Sequence, residues 1–224
     1  MAKRNRASSD NSESTSTRPL GQATTGLEIT VAVTGASGSI FAQRTLQILE
    51  ADRRVDTLNF VISNGGRYVV GDELGLKQAG SSRLSTGLLG RSSKKIVEHS
   101  NDDIGASIAS GSHRVDAMII IPCSVGTMGA LAGGVIDNLI KRAADCMLKE
   151  RRPLVLAVRE TPLHAIHLEN MARLAHAGAT IFPIMPAFYY HPKNLREMVD
   201  QFCYRLLAHI GLHQAAAYHW KSSH

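Results

Sequence analysis

The stretch VAVTGASGSI, Val31 to Ile40, passes from a run of apolar, mostly β-branched residues to a turn of small ones. The run ends at Thr34, and Gly35-Ala36-Ser37-Gly38 follows it. A buried strand that stops on such a turn and leads into a helix is typical of a parallel α/β sheet, and small residues let an anion approach the backbone N–H groups there. We therefore predict a strand, a phosphate-binding turn and a helix.

The rest of the chain repeats this alternation of apolar runs and helical periodicity. The predicted strands cover residues 29–34, 57–63, 95–99, 117–122, 154–159 and 180–183. The predicted helices cover residues 40–50, 66–74, 104–109, 126–149, 163–177 and 192–210, with a break expected at Gly133-Gly134. The alternation predicts a single-domain, doubly wound α/β fold, Rossmann-like or flavodoxin-like, with a mainly parallel sheet and helices on both faces.

The two ends of the chain differ from this core. Residues 1–26 are rich in Ser, Thr, Asn and charge, with few apolar side chains, so we predict a disordered N-terminal extension. A transit peptide is the alternative, because the segment is basic and Ser-rich, although Asp10 and Glu13 count against it. The folded domain is predicted to span residues 27–213, with a C-terminal tail at 214–224.

The amino-acid composition argues against several locations and partners. The 224 residues contain only three widely spaced cysteines, which form neither a disulfide framework nor a paired CxxC site, so we expect a reducing, cytoplasmic location. No apolar run reaches the roughly 18 residues of a membrane span. Part of the net charge of +6 lies in the N-terminal segment, and the remaining basic residues alternate with acidic ones. Neither a membrane nor a nucleic-acid partner is expected.

The residues that follow the predicted strands indicate where a ligand binds. Small or hydroxyl-bearing turns follow three strands, at Gly35 to Gly38, Ser63 to Gly66 and Ser124 to Thr127, and the fifth strand ends in Arg159-Glu160. Ligands of doubly wound sheets lie beyond the carboxyl ends of the strands. The helix N-termini at these turns favour an anion. The sequence therefore predicts a phosphorylated ligand along this edge.

Two other readings of these motifs fail. TGASG does not meet the GxGxxG pattern of dinucleotide-binding dehydrogenases, and the second predicted strand ends without an acid for a ribose hydroxyl. Tyr189 and Lys193 have the spacing of a dehydrogenase pair, but Pro192 lies between them and disfavours a shared helix.

His164 and His167 have a spacing that metals use, but no matching Cys, His or carboxylate cluster is near them in sequence. We predict no metal site.

From Val31 to Leu212 the chain resembles the UbiX-type flavin prenyltransferases. The motifs that carry the resemblance are TGASGSI, the turn Ala109-Ser110-Gly111-Ser112, PCSVGT, PAFYYHP and the long block DNLIKRAADCMLKERRPLVLAVRETPLHAIHLENM. The resemblance implies a metal-independent enzyme that binds FMN and joins the dimethylallyl group of dimethylallyl phosphate to N5 and C6 of reduced FMN. It also implies that a UbiD-type decarboxylase receives the product, and that the subunits form homo-oligomers, typically dodecamers, with active sites between subunits.

The same resemblance assigns roles to single residues. The implied flavin contacts are Gly35, Ala36, Ser37, Ser63, Ser124, Val125, Gly126, Thr127 and Arg159. The implied catalytic residues are Ser37, Glu73 and Glu160, with Glu160 moving a proton through Ser37. The implied contacts to the allylic phosphate are Arg142, Lys149, Arg205 and Tyr189, with Tyr190 as the alternative tyrosine. Cations suit this position because the departing phosphate gains negative charge.

Two other functions remain as alternatives. FMN-dependent cysteine decarboxylases share the scaffold but rely on a histidine in the first half of the chain, and no histidine precedes His99 in this sequence. Their asparagine-methionine substrate motif is also absent from the late segment, which reads Pro186-Ala187-Phe188-Tyr189. A non-catalytic flavin carrier of a decarboxylase is the second alternative, although a carrier has no use for Arg142, Lys149 and Arg205 together.

Overall fold

The computed structural model describes residues 26–76 and 83–219. Most of the predicted N-terminal extension and the last five residues of the predicted C-terminal tail lie outside the described residues. The strands within them are β1 (Leu27–Val33), β2 (Val55–Ile62), β3 (Ile96–His99), β4 (Ala117–Cys123), β5 (Leu154–Val158) and β6 (Thr180–Ile181). All neighbouring strands pair in parallel, in the order β3-β2-β1-β4-β5-β6. The predicted doubly wound α/β fold is confirmed.

The helices connect these strands. They are α1 (Ser39–Ala51), α2 (Asn64–Leu74), α3 (Leu84–Leu89), α4 (Val125–Ala132), α5 (Leu139–Lys149), α6 (Ala165–His176) and α7 (Leu195–His209). The predicted break at Gly133-Gly134 is confirmed, because Gly134 has a φ of 73° and Asn138 caps the start of α5. Among the described helices, none is long and apolar enough to cross a membrane.

One predicted helix is wrong and one helix was not predicted. Residues 104–109 contain only a 3₁₀ turn, Ser107–Ala109. The segment before it turns instead, because the Asp103 carboxylate accepts from the Gly105 N–H at 3.1 Å and local side-chain bonds of this kind compete with helix formation. α3 has six residues with a glycine inside and another at its end, too short for a periodic pattern.

The two faces of the sheet carry separate hydrophobic cores. Helices α1, α2, α3 and α7 contribute to the core on one face, while α4, α5 and α6 contribute to the core on the other. β4 supplies both, with Ile119 and Ile121 on the first face and Met118 and Ile120 on the second. Burial on both faces explains why this strand is a continuous apolar run without alternation.

The strand order reverses between β1 and β4, because β2 and β3 lie on one side of β1 and β5 and β6 lie beyond β4. Thr34 links the ends of β1 and β4. Its hydroxyl donates to the Pro122 carbonyl at 3.0 Å and accepts from the Ser124 N–H at 2.8 Å. Ligands of open α/β sheets bind outside the carboxyl ends of the strands at this kind of crossing point. Thr34 was not predicted as a functional residue, although its position at the end of the opening apolar run was a signal.

The glycines after β1 and β2 let the two turns pack against each other. A Cβ on Gly35 would lie 3.2 Å from the Gly65 backbone, and a Cβ on Gly66 would lie 2.8 Å from the Val33 carbonyl oxygen. The Val33 carbonyl belongs to a paired strand, so it cannot move aside as a flexible side chain can. The small residues therefore serve the packing of the turns as well as any approach by a ligand.

We expect Gly66→Ala to lower the free energy of unfolding by about 1–3 kcal/mol, because the new methyl group forces the start of α2 away from β1. Urea denaturation measures this change. Gly71→Ala in the same helix is the matched control, since its Cβ would meet only the Leu76 carbonyl oxygen, at 3.6 Å. The control should be neutral or stabilising by up to about 1 kcal/mol. Equal stability of Gly66→Ala and wild type would contradict the packing argument.

Candidate active site at the carboxyl edge of the sheet

The turn after β1 is closed by a carboxylate from α2. The Glu73 carboxylate accepts from the Gly38 N–H at 3.0 Å and from the Ser39 N–H at 2.7 Å. These N–H groups stand at the start of α1, where Gly38 has a left-handed φ of 113°. Two of the donors that the opening turn offers to an anion are therefore already bound by Glu73.

The pKa of Glu73 is lowered in the folded protein. Burial acts to raise it, but hydrogen bonds from the Ser37 hydroxyl and from Ser39 and Gly38 outweigh burial, because they stabilise the charged form. The Ser37 hydroxyl is thus one of the groups that lower the pKa of Glu73. The sequence predicts that Glu160 and Ser37 act together in proton transfer, and the Glu160 Oε1 accepts from the neighbouring Thr161 N–H at 3.0 Å.

This pKa makes the contribution of Glu73 to stability depend on pH. A carboxyl group with a lowered folded-state pKa stabilises the fold at neutral pH, and this contribution is lost as the pH falls through that pKa. We expect wild type to be more stable than Glu73→Gln at neutral pH, and the difference to shrink toward about pH 3. Urea unfolding across this range measures it, with the exposed neighbour Asp72→Asn as control. If the difference in stability between wild type and Glu73→Gln did not change with pH, the lowered pKa of Glu73 would be contradicted.

Serine hydroxyls begin the next two helices at this edge. Ser63 accepts from the Gly66 N–H at 3.0 Å at the start of α2. Ser124 accepts from the Thr127 N–H at 3.2 Å and donates to the Thr127 hydroxyl at 3.1 Å at the start of α4. A Cβ on Gly126 would meet no atom within 4 Å. The start of α4 therefore combines polar donors with open space in front of them.

Arg159 and Glu160 follow β5 at the same edge. The Arg159 N–H donates to the Cys123 carbonyl at 3.2 Å, which holds the end of β5 beside the end of β4. β2, β1, β4 and β5 are consecutive in the sheet, so their turns stand side by side. The structure thus brings the residues predicted to contact flavin to one edge, together with the predicted catalytic residues Glu73 and Glu160.

The residues predicted to bind the allylic phosphate are divided between the two faces of the sheet. Arg142 and Lys149 lie on α5, which packs in one core, and Arg205 lies on α7, which packs in the other. α5 begins near the end of β3, where the Leu139 N–H donates to the Asn101 carbonyl, and Lys149 ends it shortly before β5 begins. Lys149 therefore lies toward the edge opposite Ser37. One chain does not bring these cations together.

Tyr189 and Arg205 line a cavity of about 590 Å³ between β6, α7 and the C-terminal residues. The alternative tyrosine, Tyr190, also lines it, but its hydroxyl donates to the Met198 carbonyl at 3.4 Å. Burial raises the pKa of Tyr190, and Glu197 and Tyr189 add to this effect. The hydroxyl of Tyr190 thus donates to the first turn of α7.

Residues 214–219 of the predicted tail form one wall of this cavity. The Gln201 side chain donates to the Ala216 carbonyl at 3.0 Å and accepts from the Tyr218 N–H at 2.7 Å. The Tyr218 ring lies 5.6 Å from that of Tyr189 and 5.8 Å from that of Tyr190, measured between centroids. Sequence reasoning missed this wall, because Gln201 on an amphipathic helix carries no signal of its partner.

Comparison with known proteins decides the family. Residues 17–202 match the Flavoprotein family model. The chain is 37% identical over 194 residues to the flavin prenyltransferase UbiX of Methanocaldococcus jannaschii, a match that covers 87% of this chain and 98% of the relative. It is 40% identical over 200 residues to that of Pseudomonas aeruginosa, with 88% and 95% covered. The chain belongs to the UbiX flavin prenyltransferase family.

Solved structures agree with this membership. This UbiX family member superposes with a TM-score of 0.76 on AnUbiX (PadA1) in complex with FMN and dimethylallyl pyrophosphate, at 35% identity over 88% of this chain and 99% of the other. The same TM-score relates it to a dodecameric FMN-dependent UbiX-like decarboxylase from Escherichia coli O157:H7, at 37% identity over 88% and 100%. The cysteine decarboxylase TvaF, with a TM-score of 0.53 and 17% identity, shares the fold alone.

The predicted family, fold class and enzyme class are therefore confirmed for this UbiX family member. The roles of single residues stay predictions. Within residues 26–76 and 83–219, no group of three or more His, Cys, Asp or Glu side chains is arranged to hold a metal ion. His164 and His167 stack with ring centroids 3.5 Å apart at the start of α6.

Proposed function

We propose that this protein joins the dimethylallyl group of dimethylallyl phosphate to N5 and C6 of reduced FMN, and that a UbiD-type decarboxylase in the cytoplasm receives the prenylated FMN. The observation that carries the proposal is the edge where Ser37, Glu73 and Glu160 stand beside the turns of β2 and β4. Membership of the UbiX family and the FMN and dimethylallyl pyrophosphate bound in AnUbiX support the same reading.

The residues at this edge fit a flavin mononucleotide. The start of α4 has helix N–H groups, the Ser124 and Thr127 hydroxyls and open space at Gly126, which together suit a phosphate. The start of α2 with Ser63 adds a second capped helix end. Arg159 is exposed at the end of β5 and can reach an anionic or carbonyl group of the ligand. We propose these residues as the flavin contacts.

The catalytic work divides among three side chains. Bound reduced FMN supplies the nucleophilic nitrogen and the ring carbon that accept the prenyl group. We expect Glu73 to orient the Ser37 hydroxyl, which is near enough to lower the pKa of the Glu73 carboxyl. Glu160, half-buried in the turn after β5, is the base that takes the proton released when the ring carbon is substituted. The cations bind the donor phosphate and stabilise its negative charge as it leaves.

The donor site is completed by a second copy of the chain. Arg142 and Lys149 lie on one face of the sheet, whereas Tyr189 and Arg205 lie by the cavity at α7, so a single chain cannot surround one phosphate with all four. Neighbouring copies can supply the two halves. The dodecameric assembly of the related Escherichia coli protein supports a homo-oligomer, and we propose a dodecamer.

Release of inorganic phosphate tests the proposed reaction against a flavin carrier. We expect anaerobic phosphate release to require both reduced FMN and dimethylallyl phosphate, since the donor bond breaks only when the flavin nitrogen attacks it. A carrier binds FMN and releases no phosphate. Absence of phosphate release from dimethylallyl phosphate and of pyrophosphate release from dimethylallyl pyrophosphate, in a protein that binds FMN, would contradict prenyl transfer.

A further inference from the structure

The loop of residues 109–113, named the 109–113 turn, lies against Arg142 and Lys149 of α5. The Arg142 Nε donates to the Ala109 carbonyl at 3.1 Å, and a Cβ on Gly111 would lie 3.0 Å from the Lys149 Cε. The same added Cβ would overlap the Glu150 carboxylate, whose Oε1 lies 3.3 Å from the Lys149 Nζ. The position of the turn therefore decides where the Arg142 and Lys149 side chains can extend.

Arg152 fixes this turn. Its Nη1 donates to the His113 carbonyl and its Nη2 to the Gly111 carbonyl, each at 2.7 Å. Arginine suits this task because its planar fork carries several donors in a fixed geometry, and hydrogen bonds from a charged donor are stronger than neutral ones. The Arg152 N–H also donates to the Met147 carbonyl at 2.8 Å, which anchors its backbone to the end of α5.

The turn is held from the sheet as well. The His113 imidazole Nε2 lies 2.7 Å from the Glu28 carboxylate at the start of β1. The Ser110 and Ser112 hydroxyls bond to each other at 2.8 Å, which closes the tip of the turn. Arg152 is half-buried, and no ion pair with a carboxylate involves it in the described part of the chain. The guanidinium N–H groups of Arg152 thus bind backbone carbonyls, and its positive charge lies near that of Lys149 at the end of α5.

We propose that Arg152 is a positioning residue for the donor phosphate, because its guanidinium fixes the 109–113 turn against which Arg142 and Lys149 are placed. This inference rests on the proposed prenyl transfer. Arg152 contacts neither the flavin edge nor the cavity at α7. Its removal should therefore weaken donor binding and leave FMN binding intact.

The test compares neighbouring arginines that carry the same charge. In the FMN-loaded oligomer, we expect Arg152→Gln to raise KM for dimethylallyl phosphate about tenfold or more, with kcat and the Kd for FMN changed less than about twofold. Arg152→Lys should raise KM less, about threefold, because a lysine keeps the charge but lacks the planar fork. Arg151→Gln is the control, since Arg151 is exposed and bonds through its backbone N–H to the Leu148 carbonyl, a contact that the substitution keeps. Its KM should match wild type.

Equal KM values for Arg152→Gln and Arg151→Gln would overturn the inference. So would equal losses of donor affinity, FMN affinity and Tm in both Arg152 variants, which indicate a general structural role. Titration calorimetry of dimethylallyl phosphate into the FMN-loaded protein gives a readout that needs no turnover. If wild type binds the donor without transferring the prenyl group, the proposed function fails, while weaker binding by Arg152→Gln alone still supports the positioning role.

Discussion

Replacing Glu160 with Gln is expected to lower kcat by about 10²–10⁴-fold, the range that general acid–base catalysis contributes. The amide keeps the size of the side chain but cannot take a proton at neutral pH. Glu160 stands at the end of β5, beside the capped start of α4, and accepts only the Thr161 N–H among the described contacts. Its carboxylate is therefore available to the proposed proton transfer.

Measuring the Kd for FMN together with kcat separates an effect of Glu160→Gln on catalysis from an effect on flavin binding. The Kd for FMN should change less than about twofold in Glu160→Gln, since Ser63, Ser124 and Thr127 are untouched. Glu169→Gln on α6 is the control, because Glu169 is an exposed carboxylate within a helix and not in a turn that follows a strand. Unchanged turnover in Glu160→Gln would remove this residue from the chemistry and leave Glu73 as the other predicted catalytic carboxylate.

Lys149→Ala and Arg205→Ala are each expected to lower kcat/KM by about 100-fold, because each removes a charged hydrogen-bond donor from the phosphate. In one chain the two residues lie on helices that cover opposite faces of the sheet. If neighbouring copies supply them, a mixed oligomer contains intact sites built from the Arg205 of one variant and the Lys149 of the other. Activity should then return on co-expression.

Random mixing predicts the size of this recovery. Half of the subunits carry each required residue, so about a quarter of the sites are intact and about a quarter of the wild-type activity returns. Separately purified oligomers that are mixed without subunit exchange are the control and should stay inactive. No recovery in co-expressed oligomers that contain both variants would show that one chain supplies both Lys149 and Arg205 to a site, contrary to the proposed shared site.

Local sequence signals were sufficient for the sheet and for the turns at its edge. The strands are apolar runs bounded by Gly, Ser or charged residues, and a parallel sheet places every turn after a strand at one edge. The sequence alone was therefore enough to predict that the turns of Ser37, Ser63 and Ser124 lie together. α3 could not be predicted, since its six residues are stabilised by burial of Leu84 and Leu88 against the core.

Long-range contacts carried no sequence signal. Glu73 lies 34 residues beyond Ser39, and only the packing of α2 beside β1 brings its carboxylate to the start of α1. Arg152 and Gln201 likewise bind backbone atoms of distant segments, and any residue type offers such carbonyl partners. The division of the phosphate cations between two faces follows from which core each helix joins, a property of the whole fold.

The mass of the extracted flavin tests the central claim most directly. Purified protein is incubated anaerobically with reduced FMN and dimethylallyl phosphate, and the flavin is then extracted and its mass and absorbance recorded. The proposed function predicts a flavin heavier than FMN by one isoprene unit, with altered absorbance, and none in Glu160→Gln over the same time. Unmodified FMN from wild type, with dimethylallyl pyrophosphate also inert, would contradict it.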